Sequence, residues 1–304
     1  MEPHRLALRS LRRTPGFTAA AVLVLAIGIG ANATMFGVVD TLLLRPPAHV
    51  ERPEEIVRPY LRQTVPGMAQ FTGPTIGFPD YTDLRDGVKD FAGIAAFTAT
   101  EVQSGTGAEA RELHATFVTQ NFFGLLDVRP TLGRFFTPDE DDFRTPAEVV
   151  VLDHGFWQRE FGGDRDVLGR EVPIGQARYT VVGVAPPGFT GVDLRPVDVW
   201  LPLAAGARLA VEPDAFTSRN WTWVETVARL KPGASIAAAE AAATTVRRRA
   251  YSDRDDTDRE ARMILGPIVR DRGPERSRNA TISLWLGGVA VIVLLVACAN
   301  VANL

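Results

Sequence analysis

Two uncharged apolar runs bracket this chain, and they constrain it more than anything between them. The first, "FTAAAVLVLAIGIGANATMFGVVDTLLLRP" (Phe17 to Pro46), carries no charge over the 23 positions from Phe17 to Val39, and the second, "ISLWLGGVAVIVLLVACANVANL" (Ile282 to Leu304), carries none at all. About 20 apolar residues suffice for a helix to cross a bilayer. The runs therefore read as transmembrane helices over 17–44 and 281–304. A cleavable signal peptide is the rival for the first, but its apolar core is only about 7–15 residues long and ends at a small-x-small site. Here "GANATMFGVVDTLLL" continues apolar instead. A buried helix of a large soluble core is the other alternative. The averages of 46% apolar and 23% charged residues hide this concentration at the ends.

Arg5, Arg9, Arg12 and Arg13 precede the first run with only Glu2 against them, which by the positive-inside bias keeps residues 1–16 in the cytoplasm. Residues 45–280 then form an extracytoplasmic domain, and the second run returns the chain inward. Arg270, Arg272, Arg276 and Arg278 crowd the outer flank of that run and run against the bias, although long translocated domains largely escape it. The single cysteine, Cys298, lies in the second run, so no intramolecular disulfide forms and the outer domain depends on its own core.

Between the runs the signals mix strand and helix. Arg45-Pro46-Pro47 ends the first helix. "EEIVRPYLR", "FAGIAAFTAT", "ARELHATFVT", "AEVVVLD", "VDVWLPLA", "WTWVETVARL" and "ARMILGPIV" read as strands, and "REVPIGQARYTVVGVAPPGF" as a hairpin turning near Gly175. "FPDYTDLRDGV", "QNFFGLL" and "HGFWQREFG" read as short helices or turns. "SIAAAEAAATTVRRRA" is the clearest helix, with Ser235 as its cap and Arg247, Arg248 and Arg249 at the negative end of its dipole. The fold class is α+β.

Residue patterns for chemistry are few. His4, His49, His114 and His154 are scattered, with no zinc spacing among them. Asp139-Glu140-Asp141-Asp142 could offer oxygens to a hard cation, but after Pro138 they read more simply as a solvated turn. "DRDDTDRE" (Asp253 to Glu260) fails as a calcium loop, because Asp258 and Ile264 hold the glycine and bidentate positions. There is no P-loop, "GIGAN" at Gly28 lies within an apolar run, and Gly155 and Ser218 sit in no nucleophile elbow. No catalytic, cofactor-binding or metal-binding residue is assigned. Phe156, Trp157 and Phe161 fall at helical spacing and read as core, and Trp221 and Trp223 alternate on one strand face. In the first run Ala19, Ala26, Gly30, Ala33 and Gly37 fall on one stripe, which suits close packing against other helices in lipid. Asn32, Thr34, Asn300 and Asn303 are polar groups that want partners within a bundle.

The opening "ALRSLRRTPGFTAAAVLVLAIGIGANATMFGVVDTLLLRP" resembles that of MacB/FtsX-type ABC transporter permeases, in particular the duplicated orphan permeases of acidobacterial type. The likeness continues through "FPDYTDLRDGVKDFAGIAAF", "VTQNFFGLLDVRPTLGRFFTPDED", "VVVLDHGFWQREFGGDRDVLGREVPIGQARYTVVGVAPPGF", "ARLKPGASIAAAEA" and "LLVACANVANL". It implies a transmembrane helix, a periplasmic core domain with a βαβ-like porter part and a β-rich part, and further helices of an FtsX-like domain. It also implies a non-catalytic subunit of the bacterial inner membrane whose ATP and Mg²⁺ sit on a separate ABC ATPase. The other partners implied are a second permease half or homodimer and a periplasmic adaptor, and no nucleic acid is expected. The chain ends inside the second run, so it reads as a partial frame. A membrane-anchored binding or scaffold protein without a motor is the second expectation. An anchored hydrolase, the third, requires Asp139 or Asp153 to converge on His154.

Overall fold

Proline and glycine punctuate the region between the runs into twelve strands and five helices, which a computed structural model describes for residues 46–64, 70–105, 110–193, 195–253 and 260–268. Of the apolar runs and their flanks it describes scattered positions only, 15, 16, 19, 22, 23, 26–30, 33, 34 and 37, then 285, 288, 291, 292 and 295, all of them helical. The chain divides into two compact units, Pro46–Glu275 and the two ends, Met1–Arg45 with Arg276–Leu304. Among the described residues no helix is long and apolar enough to cross a membrane. Most of 1–16, 17–44 and 281–304, and with them Asn32, Cys298, Asn300 and Asn303, lies outside the described residues, as does most of the stretch after Asp253.

Within Pro46–Glu275 the first strands are β1 (Ile56–Thr64), β2 (Gln70–Gly73) and β3 (Thr75–Gly77). Helix α1 (Phe78–Gly87) starts with Pro79 in its first turn, where a missing N–H costs nothing. A long strand, β4 (Phe91–Ser104), follows, then β5 (Arg111–Val118), the single turn α2 (Phe122–Leu125) and the two-residue β6 (Leu132–Gly133). β7 (Val149–Leu152) leads into α3 (His154–Phe161), whose cap Asp153 accepts from Phe156 N at 3.0 Å and which ends at Gly162 with φ 62°. Next come β8 (Glu171–Ile174), β9 (Ala177–Val184), β10 (Val199–Pro202) and α4 (Leu203–Ala210), then β11 (Thr222–Leu230), α5 (Ile236–Ala250) and β12 (Arg262–Pro267). Ser235 caps α5, accepting from Ala238 N at 3.1 Å, as its sequence promised.

One sheet joins them in the order β12-β1-β11-β4-β5-β10-β7-β9-β6, with β2 beside β1, β3 beside β11 and β8 beside β9. The quartet β12-β1-β11-β4 is antiparallel throughout and carries α1 between β1 and β4 and α5 between β11 and β12, which is a split βαβ arrangement. Everything from β5 to α4 is an insertion between β4 and β11. Its strands are richer in β structure and mixed in direction, with β5–β10 and β7–β9 parallel. The far edge of β8 comes back to the end of β4, where Gly175 N donates to Gln103 O and Ser104 Oγ to Pro173 O, both at 2.7 Å. The insertion thus curls toward a closed barrel, which removes an exposed edge. The expected α+β domain with βαβ and β-rich parts is present.

Side-chain alternation splits the core by sheet face. On one face Ile94, Ala96, Phe117 and Val224 pack with Leu84 of α1 and Ala239 and Ala243 of α5. On the other, Phe97, Val118 and Trp200 pack with Phe122 and Phe123 of α2 and with Phe189.

Two expectations need correction. "VDVWLPLA" is a strand only to Pro202, because Leu203 and Ala204 open α4. Trp221 and Trp223 do not share a strand face: Trp221 precedes β11 and is exposed, while a bulge between Thr222 and Val224 turns Trp223 into the core. β2, β3 and β6 carry too few residues to show a period.

Candidate functional site

The strands that read as apolar carry charges on their second face. In "IVRPYL" of β1 Arg58 sits among hydrophobic neighbours, and in "WVETVARL" of β11 Glu225 and Arg229 do the same. Arg58 is 8% exposed and Arg229 7%. Burying a charge is costly unless it is paired and hydrogen-bonded.

Arg58 meets this condition through two carboxylates. Its Nη1 donates to Asp193 and its Nη2 to Glu225, and its guanidinium carbon lies 5.9 Å from the Tyr60 ring centroid and 5.6 Å from that of Phe97. Burial opposes its charge, but Asp193, Tyr60 and Glu225 outweigh it and hold the pKa above the ordinary range. Burial pushes Glu225 up, with Arg58 and Arg195 pulling the other way. The half-exposed Arg195 closes the cluster, donating to Glu225 Oε1 at 3.0 Å and standing 3.8 Å from Asp193 Oδ2. Asp193 belongs to the segment 186–193, whose Phe189 and Val192 cover this face. A small, mostly apolar cavity beneath it is lined by Phe97, Thr116, Phe122, Asp193 and Trp200. Asp193 Oδ2 and Trp200 Nε1 are buried without a hydrogen-bond partner. Two arginines balance two carboxylates here, and their ion pairs tie β1, β11 and the covering segment together.

Arg229 anchors the start of the domain. Its Nε donates to Leu125 O at 2.9 Å, Nη1 to Glu55 Oε2 at 3.0 Å and Nη2 to Glu51 O at 3.0 Å, with Asp127 Oδ2 3.2 Å from Nη2. The same corner holds the three residues other than glycine that have positive φ among the described residues, His49 (64°), Arg52 (49°) and Asp127 (57°), and Arg52 Nη2 donates to Asp127 Oδ2 at 2.7 Å. A third buried arginine, Arg247 of α5, donates to Asp80 of α1 at 2.9 Å, which also accepts from Tyr251 at 3.1 Å and Arg219 at 3.3 Å. This cluster ties the two helices of the βαβ quartet together.

The residues singled out from sequence are placed as follows. Ala19, Ala26, Gly30, Ala33 and Gly37 are helical and exposed, and a Cβ built at Gly30 or Gly37 meets nothing within 4 Å. Thr34 donates back to Gly30 O at 2.9 Å. Phe156 and Trp157 are buried in the core, with Trp157 Nε1 donating to Asp164 O at 2.8 Å, and Phe161 packs at its margin. His154 rests edge-on against Trp157 at 5.4 Å, Asp153 caps its own helix and Asp139 is exposed, so no hydrogen bond or ion pair joins His154 to either carboxylate. His114 Nδ1 pairs with Asp198 Oδ2 at 3.0 Å, and His49 Nε2 donates to Pro187 O at 2.8 Å. Within the acidic turn Asp141 is structural: it accepts from Gln120 N and Ala204 N, both at 2.9 Å. Among the described residues no three His, Cys, Asp or Glu side chains gather as a cation site. The arginine clusters were missed, and the signal that marks them is a lone charge inside an apolar strand with its complement in another.

The family model for the MacB-like periplasmic core domain matches residues 18–246. A "Probable export ATP-binding/permease protein" of Pseudomonas fluorescens is 36% identical over 101 residues, covering 32% of this chain and 15% of that protein. A "Macrolide export ATP-binding/permease protein MacB" of Chromobacterium violaceum is 26% identical over 187 residues, 62% of this chain and 26% of that one. The aligned stretches thus span only 15% and 26% of these relatives' lengths. Among solved structures, a domain of a putative permease protein from Porphyromonas gingivalis superposes with TM-score 0.55 at 15% identity, covering 78% of this chain and 98% of that one. The periplasmic region of MacB from Actinobacillus actinomycetemcomitans superposes with TM-score 0.50 at 12% identity, covering 72% and 94%. At these identities the likeness is one of fold.

Proposed function

Since the chain belongs to the MacB-like periplasmic core domain family, we propose that it is the permease subunit of an ABC-type exporter, in which a separate ATPase drives shape changes of the α+β domain outside the membrane. The observation that carries this reading is where the chain joins the domain. β1 and β12 are paired neighbours, Val57 opposite Pro267, so the segments leading to both apolar runs leave from one end of one strand pair. A domain tethered in this way receives motion from both runs at a single place. The subunit itself is non-catalytic, with ATP and Mg²⁺ on the ATPase chain. It sits in the bacterial inner membrane with residues 1–16 cytoplasmic, 17–44 and 281–304 spanning, and 45–280 outside. The stripe Ala19, Ala26, Gly30, Ala33 and Gly37 packs against further helices of the same permease, of its second half or of a homodimer partner. A periplasmic adaptor is the further partner of this reading.

Co-purification from native membranes tests it. An ABC ATPase is expected to accompany the permease. If none does, and the outer domain shows the same protease pattern with and without ATP, the protein is an anchored binding or scaffold module instead.

A further inference from the structure

The β-sheet is not equally continuous everywhere. β1 pairs with β12 over six consecutive positions, Val57–Arg62, but with β11 over two only, Ile56 opposite Arg229 and Val57 opposite Ala228. Pro59 accounts for the break. Its partner on β12 is Leu265, whose amide is taken from the outer side by Glu240 Oε2 at 3.0 Å. At that pair the ladder groups therefore point away from each other, so the position where Pro59 lacks its N–H faces β11. Beyond it β1 and β11 part. β2 pairs with β1 and β3 with β11, so the short segment from Gln70 to Gly77 fills the gap.

Two arginines bridge this boundary in opposite directions. Arg58 reaches from β1 to Glu225 on β11 and to Asp193 of the covering segment, and at the paired end Arg229 reaches from β11 to the Glu55 carboxylate and the Glu51 backbone carbonyl just ahead of β1. Asp193 Oδ2 and Thr226 Oγ1, both buried without a hydrogen-bond partner, lie in the elements that meet here. By contrast β4 and β5 run through eight uninterrupted pairs from Phe97 to Ser104. We infer that the β1–β11 boundary is a seam at which the β12–β1 pair shifts against the rest of the sheet, with Arg58 and Arg229 as the staples that hold it closed. The strands on the moving side are those joined to the two flanking runs. Packed elements have discrete arrangements and do not deform continuously, and a ladder replaced by side-chain pairs is the place where this sheet yields first. The inference stands whether or not an ATPase is the source of the motion.

Hydrogen exchange resolved to single amides on the full chain in nanodiscs tests the seam. In the wild type the amides of Thr226 and Ala228, on the side of β11 that faces β1, are expected to exchange at least tenfold faster than those of Thr98 and Thr100 in β4. Arg58→Met should speed the seam amides at least a further tenfold and leave β4–β5 and the Tyr60–Ile264 pair unchanged. Arg229→Lys, which keeps the charge but shortens the fork, is the second variant and should produce the same confined rise if Arg58→Met does not fold. Wild-type seam amides as protected as β4–β5 would overturn the inference. So would a rise spread evenly over the sheet, or no rise in either variant.

Discussion

Gly206 lies where α4 crosses the ring of Phe117, and a Cβ there would stand 2.2 Å from Phe117 Cδ1. Gly206→Ala is expected to lower stability by about 1–3 kcal/mol, the usual cost of overpacking a core. Phe117→Leu in the same chain should recover part of that loss in urea unfolding, because the shorter side chain vacates the space. Asp141 offers a different handle. Burial pushes its pKa from 3.8 up to about 6 against the pull of the Ala204, Gln120 and Leu203 amides, and Tyr81 is near enough to feel its charge. The folded state then holds a proton between about pH 4 and 6 that the unfolded chain releases. Stability from this group is full below the unfolded value and is lost as pH rises through 6, an effect of about 3 kcal/mol. Unfolding free energies should therefore be higher at pH 5 than at pH 7. Asp141→Asn should flatten that difference, whatever constant offset its lost hydrogen bond adds, and an unchanged slope would assign the effect to other buried carboxylates.

At the scale of elements, α5 serves as the cover of a sheet edge. β12 is the outermost strand, and its outward groups are taken by side chains of α5. Thr244 Oγ1 both accepts from Met263 N at 3.1 Å and donates to Met263 O at 3.2 Å, and Glu240 takes Leu265 N. An uncovered edge invites pairing with another chain. Thr244→Val keeps the shape and leaves two backbone groups without partners, which should cost about 1–3 kcal/mol and raise the rate of aggregation on heating. Ser235→Ala at the cap of the same helix should cost about 1 kcal/mol without changing aggregation, so the two variants separate helix stability from edge protection. That α5 exists was legible from its alanine-rich run, its cap and its basic end. That Thr244 and Glu240 face a strand edge was not, since both are ordinary residues of a solvated helix face until β12 is placed beside them.

For the whole molecule the prediction concerns sidedness. Reporter fusions after Arg13 and at the Gly175 turn are expected to report cytoplasm and exterior respectively; the same side for both would remove the permease topology. Gly175 suits the purpose because it is exposed in a tight hairpin turn with φ 61°. Local chemistry determined a great deal by itself. The concentration of apolar residues at the ends, the proline and glycine stops, the α+β alternation, the Gly175 turn and the Ser235 cap each follow from neighbours in the chain. Strand order, the return of β8 to β4, the curl of the insertion and the pairing of Arg58 with Glu225, 167 residues apart, belong to the tertiary structure. Hydrophobic period tells which face of a strand is buried but not which strand lies beside it. A buried arginine is tolerable only where the fold delivers its carboxylates, so the charges at Arg58, Glu225 and Arg229 acquire meaning only once β1 and β11 are set side by side.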